Sequence, residues 1–505
     1  MKYVLLFVFI SVSLVSIAQP TKFFYNIKEM GAKADGVTSD TKVINKAIEE
    51  AAASGGGTVY FPAGNYLSGS LHLKSNISLF LEQGATLIAS SDSNDFDKPE
   101  PSVNDTYQDY GHSHWHNSFI WGEKIHDIAI VGTGRILGRG LVRSGRNGDL
   151  KPNKSIALLN CHNVIIKDIS ILHGGWFALL ATGVDNLTLD NVKVDTNRDG
   201  FDIDCCKNVR VSNCTVNSPF DDGICLKSSF GLGYARATEN VTITNCQVSG
   251  YDEGSLLDGT FKKGNFRGPD SGGPTGRIKF GTESNGGFKN ITISNCVFDY
   301  CRGLALETVD GALLEDVTIS NITMRDIVNA PIFIRLGARM RGPDTIAVGQ
   351  CRRILIENVV AWNVDQKYGA IISGLPGHDI EDLQLSNIRF YYKGGGPKDS
   401  ISRTVAEYEK DYPEPFRWGV MPSYGFFIRH VKNVKMHDVQ ISYLKTEQRP
   451  PFVLEDVKGA ILYDIQAQKE PSVPTLLLKN SSDINIRQIK GVKNTMMKTI
   501  AKKSL

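Results

Sequence analysis

The chain lacks most of the signals that would send it into a membrane or onto a nucleic acid. Beyond its first 18 residues, no apolar run approaches the roughly 18–20 residues that a spanning helix needs. The formal net charge is only +2. No basic stripe interleaved with aromatics is present, which excludes the usual nucleic-acid footprint. The nine cysteines include no Cys-x-x-Cys pair and no Cys/His spacing suited to zinc. Helical periodicity is scarce as well. It singles out one stretch, Val43, Ile44, Ala47, Ile48 and Ala51, with Ser39 or Asp40 as N-cap and Gly55-Gly56-Gly57 as its stop.

What is abundant is a short repeat. A turn residue, mostly Asn or Asp, opens a run of alternating β-branched residues. Copies start at Asn163, Asn186, Asn208, Asn240 and Asn290, and later at Asp316, Arg353, Asp382, Asn433, Gly459 and Asp483. The first three starts lie 23 and 22 residues apart. That is too short for a βαβ crossover of about 30 residues. Period-2 alternation selects strand over helix. Units this short bury an apolar face only by stacking, so the prediction is an all-β solenoid, a right-handed parallel β-helix. The 39–57 helix caps its first coil, because an uncovered sheet edge invites aggregation. Strand-like stretches follow at 58–61 and 77–81. Wider gaps between copies mark loop insertions, with 251–274 (bearing Asp258, Lys262 and Arg267) walling a cleft. A second insertion, 391–424 with Arg417-Trp418, closes one end, which would favour action on chain termini.

Residues 1–18 have the order of a secretory signal: Lys2, an apolar run at 4–15, then Ser16-Ile17-Ala18. No Cys follows, so no lipid anchor is expected. The expectation is an exported protein, periplasmic or secreted, with residues 19–505 forming one β-helix domain, monomeric, off the membrane and without a cofactor. The basic tail at 493–503 is expected to be a solvated end. Cys214, Cys246 and Cys296 fall at the same place in three repeats and are expected to stack as buried small side chains. Free thiols are favoured, although Cys205-Cys206 or Cys296 with Cys301 remain open as pairs in an oxidising compartment.

The chemistry concentrates between 195 and 228. Asp199 precedes Asp221 by 22 residues and Asp222 by 23, one local coil period. The three carboxylates therefore occupy matching places on adjacent coils, with backbones about 4.8 Å apart. Crowded carboxylates repel, so one should hold a proton beside an ionised neighbour. Glycosidic cleavage needs such a pairing: an acid for the leaving oxygen and a base for water.

Asn197-x-Asp199-Gly200-x-Asp202 followed by Asp221-Asp222 resembles the signature of glycoside hydrolase family 28, the polygalacturonases and rhamnogalacturonan hydrolases. The 31–36 and 61–66 segments are similar to the family's opening. The resemblance implies inverting, metal-independent hydrolysis of α-glycosidic bonds in pectic polysaccharide or oligosaccharide. It implies Asp221 as general acid, with Asp199 and Asp222 activating water, and Asn197 and Asp202 are expected to bind substrate. Two departures stand out. Where the family has Gly-His-Gly, the aligned 275–283 segment has no His. Where it has Arg-Ile-Lys, the 303–308 segment reads Gly-Leu-Ala-Leu-Glu-Thr, and Glu307 there would repel a uronate carboxylate. Lys227, Arg277 and Lys279 are the cations left to bind substrate, with Glu283 and Glu307 as holders of sugar hydroxyls or plain surface acids. His112, His114 and His116, at period 2, form either a sugar-contacting loop or a zinc site, with Trp115 and Trp121 as stacking platforms. Two alternatives stay open. One is a polysaccharide lyase whose acids hold Ca²⁺. The other is a non-catalytic glycan-binding solenoid.

Overall fold

The computed structural model describes residues 23–102, 106–108, 110–143, 152–264 and 272–505. The signal-like segment 1–18 and Arg267 lie outside the described residues. The chain winds through 34 strands and a single α-helix among those residues. Each coil contributes strands to three stacks that pair in parallel from coil to coil. One coil is Leu179–Thr182, Asp185–Asp190 and Lys193–Asp195, and the next is Phe201–Asp204, Lys207–Ser212 and Thr215–Asn217. The strands register residue for residue, Leu187 on Val209 and Val194 on Val216.

The repeat residues explain the winding. Asn163, Asn186, Asn208, Asn240 and Asn290 all sit at φ between 54° and 58°, the left-handed corner that Asn tolerates better than most residues. Their side chains form a hydrogen-bonded ladder. Asn186 Nδ2 donates to Asn163 Oδ1 at 2.9 Å, Asn208 to Asn186 at 3.2 Å, and Asn240 to Asn208 at 3.0 Å. The alternating apolar residues point inward, and one core runs continuously from Tyr25 to Ile500. The cysteines belong to it. All nine are free and buried. Cys296 registers with Ile322, and that column continues through Val359 and Ile388, so the thiols stand where later coils carry branched aliphatics.

The capping helix spans Thr41–Ala53 and buries Ile44, Ala47, Ile48 and Ala51 as the periodicity predicts. Asp40 precedes it without capping it. Its carboxylate turns back instead and accepts from the backbone N–H of Lys33 at 2.7 Å and Ala34 at 3.0 Å. The C-terminal tail is solvated on its basic side, as expected, and is also ordered: Thr495–Ser504 is a strand pairing antiparallel with Leu476–Ile489, which covers the last coil edge while its lysines stay exposed.

Candidate active site

The site grows from the corner between the third strand of one coil and the first strand of the next. Phe201 registers with Ile224. Asp199 and Asp222, each two residues earlier, are therefore brought side by side. Gly200 donates its N–H to the Asp222 carbonyl at 3.0 Å. A Cβ on Gly200 would come within 2.4 Å of the Gly223 carbonyl oxygen, so only glycine lets the coils meet this closely. One oxygen from each of Asp199, Asp221 and Asp222 lies within 4.8 Å of the others.

The three acids differ in surroundings. Asp221 is partly exposed and accepts from Arg198 at 2.7 Å. Asp222 is 2% exposed, with Arg277 Nε at 2.8 Å on one oxygen and Lys279 Nζ at 3.3 Å on the other. Burial pushes the Asp222 carboxyl up, but Lys279, Arg277 and Lys227 together outweigh it and hold the group down at about 2. Asp199 is equally buried. Burial first, then Asp221 and Asp202, pushes its carboxyl well above the usual range. The trio thus sets a proton-holding acid beside an ionised one. Three carboxylates this close could gather around a divalent cation, but Arg198, Arg277 and Lys279 already neutralise them, which disfavours one.

A cavity of about 380 Å³ opens onto Asp221, Asp222, Arg277 and Lys279. Its far wall is the second insertion, which crosses back over the coils. Glu414 of that arm pairs with Arg277 and, at 3.1 Å, with Arg302, while the Tyr412 hydroxyl lies 3.2 Å from Lys279 Nζ. Along one row of the first strand stack, Lys279 is followed by Ala305, Phe333, Ile371, Phe427 and Val453. Val405, Trp418 and Met421 of the arm roof this apolar stretch. On the other side the row runs from Asp202 to Leu180 and Ala157, which pack against Trp115 and Phe177. Between these two roofed ends the row carries Asp202, Cys225 and Lys279, all buried, and the cavity meets it at Lys279.

The remaining predicted residues take various places. Arg277 and Lys279 line the cavity beside Asp222. They spell Arg277-Ile278-Lys279, so the cationic tripeptide sought at 303–308 lies one coil earlier. Glu307 is corrected from an exposed acid to a fully buried one behind these cations, 3.5 Å from Lys279 and 3.9 Å from Arg277. Burial lifts its carboxyl to about 7 against the pull of both cations. Glu283 is likewise 4% exposed rather than superficial, held by Lys227 at 3.1 Å and Arg339 at 3.6 Å. Lys227 and Asp202 are buried together in that network, 4.0 Å apart. Asn197 stays half-buried, its carbonyl accepting from Phe220.

The three histidines do not converge. His112 Nε2 lies 3.3 Å from Asp202, His114 Nδ1 lies 3.2 Å from Ser113, and His116 bonds Glu123 and stacks on Trp121. An imidazole thus reaches the acid network from 90 residues upstream of Asp202, where no motif alignment looks for it. The residues that sequence reasoning missed are Arg198, Tyr412, Glu414 and Arg302. Arg198 stood at the unspecified position of Asn-x-Asp, and the others lay in segments without periodicity.

Among the described residues no helix is long and apolar enough to cross a membrane. A family profile described as rhamnogalacturonase A/epimerase, pectate lyase-like, matches residues 24–133, and one described as right-handed beta helix region matches 151–267. A probable polygalacturonase of Vitis vinifera is 28% identical over 431 residues, 79% of this chain and 81% of that protein. An exo-poly-alpha-D-galacturonosidase of Dickeya chrysanthemi is 29% identical over 54% of this chain, which spans 40% of that longer protein. Among solved structures, a family 28 exopolygalacturonase of Yersinia enterocolitica superposes with a TM-score of 0.64 at 18% identity, covering 86% of this chain and 78% of the other. Over most of its length, and at modest identity, the chain is a homologue of polygalacturonases, built on the right-handed parallel β-helix.

Proposed function

We propose that the protein is an inverting glycoside hydrolase that cleaves α-glycosidic bonds in pectic polysaccharide or its oligosaccharides. The observation that carries this reading is the acid trio: Asp221 and Asp222 line the cavity, Asp221 the more exposed, Asp199 lies buried beside them, and a cationic pair stands alongside. Asp221, the accessible member, gives a proton to the leaving oxygen. Asp199 and Asp222 take the proton of the attacking water. Acids within about 5 Å of each other are the usual spacing of retaining enzymes. A covalent route, however, needs a carboxylate free to attack. Both oxygens of Asp222 are engaged by Arg277 and Lys279, and Asp199 is buried away from the cavity lining, so neither buried acid is placed to attack. Arg277 and Lys279 hold a uronate carboxylate in the cavity, with Glu307 and Glu414 fixing their positions from behind.

The roofed ends favour a substrate that enters by its terminus, so the product is a short unit removed from a chain end. The names of the Dickeya and Yersinia relatives agree with that mode. Residues 1–18 direct export to the periplasm or beyond. The neutralised trio gives little support to a calcium-dependent lyase. Incubating the purified protein with galacturonan and rhamnogalacturonan oligomers, beside Asp221→Asn, tests the reading. Saturated short products from the wild type alone are expected. An unsaturated, ultraviolet-absorbing product would replace hydrolysis by elimination.

A further inference from the structure

Of the three acids, Asp221 and Asp222 each have a cation within 2.8 Å, whereas the Arg198 guanidinium stands 3.9 Å from Asp199. The proton of the cluster therefore rests on Asp199. That is the wrong place for a cleavage in which Asp221 is the acid. Arg198 is what keeps it there. Its guanidinium lies 3.8 Å from the Trp176 ring centroid, donates to Asp221 from one amino group, and borders the cavity. Its Nε is buried without a hydrogen-bond partner. A guanidinium with spare donors prefers a carboxylate that it can grip through two parallel bonds.

We propose that Arg198 senses the charge of the substrate: a uronate carboxylate beside the scissile bond draws the guanidinium off Asp221, and the proton on Asp199 passes to Asp221. The inference rests on the hydrolase reading above. Its proton count closes. Asp221 then donates that proton to the glycosidic oxygen as the bond to the anomeric carbon breaks. Water adds to that carbon and its proton goes to Asp199. The cluster ends as it began, protonated on Asp199, with Arg198 free to pair with Asp221 again. A neutral sugar leaves Arg198 in place and the proton misplaced, so the device selects for uronates at the chemical step.

The other charged groups around Asp221 are Asp199 on the preceding coil, Asp222 on its own corner, Arg277, Lys279 and Arg302 on the following coils, and Tyr412, Glu414 and Arg417 on the arm. None of them pairs with Asp221 as Arg198 does among the described residues.

The test compares wild type, Arg198→Gln and Arg198→Lys on a galacturonate oligomer and on its methyl ester, with kcat and kcat/KM followed against pH. Wild type should prefer the acid in kcat. In Arg198→Gln that preference should fall at least about tenfold, and the basic limb of kcat/KM should move up by about one unit, since a cation beside the cluster has been removed. Arg198→Lys should restore part of the preference. An undiminished preference with an unmoved basic limb in Arg198→Gln, including no turnover of the ester by either protein, would overturn the proposal. Failure of the hydrolase reading looks different: wild type releases nothing, or Asp221→Asn remains active.

Discussion

Two corners of the same coil are built from the same kind of residue and do opposite things. Between the first and second strands, Asn163, Asn186, Asn208 and Asn240 bond to one another from coil to coil. Between the third strand and the next coil, Asp199, Asp221 and Asp222 are stacked at the same spacing, but ionised carboxylates only accept, so Asp221 and Asp222 cannot join side chain to side chain as the amides do. They are satisfied by cations brought from elsewhere. The amide corner is self-sufficient and repeats. The carboxylate corner depends on Arg198, Arg277 and Lys279, and that dependence is what leaves it one displaceable proton. Amides make a scaffold from this geometry and carboxylates make a reactive site.

Breaking the carboxylate corner should have the largest effect. Asp221→Asn and Asp222→Asn are each expected to lower kcat about a thousandfold. Asp221→Asn should leave the thermal midpoint within a few degrees, because its carboxylate is partly exposed. Next comes the arm. Glu414→Gln removes one counter-charge from the buried Arg277 and Arg302, a loss of about 3 kcal/mol by analogy with other broken buried pairs. Denaturant unfolding should register it, and protease should cut the 395–424 arm sooner than in wild type.

The pH response sharpens the comparison. Asp222 has a carboxyl depressed to about 2 from an ordinary 3.8, so it contributes stability above 3.8 that disappears as pH falls towards 2. Urea unfolding across that window should show a steeper decline in wild type than in Asp222→Asn. Parallel curves would mean that Arg277 and Lys279 do not bind Asp222 as described. The amide corner should give the smallest effect. Asn208→Ala removes two ladder bonds at a positive φ and is expected to cost about 1–2 kcal/mol, with Asn208→Gly costing less and kcat unchanged in both.

The winding was legible because it is local. Alternation gives the inward side of each strand, and a recurring Asn gives each corner. The acid trio was legible for the same reason, since a 22-residue separation equals one coil. What alternation cannot show is whether an outward side chain meets water or a roof. Glu307 points out of its coil as the pattern predicts, yet the cation layer and the arm bury it. Glu414 reaches Arg277 across 137 residues from a segment with no period, so no sequence spacing announces the contact. His112 is hidden in the same way.

The most direct measurement is proton NMR of the first product formed from a reduced-end galacturonate oligomer by wild type and by Asp221→Asn. The account predicts a saturated short product from the chain end, released by wild type alone, whose anomeric configuration is initially opposite to that of the bond cut. Retention of configuration, or equal release by Asp221→Asn, would contradict it.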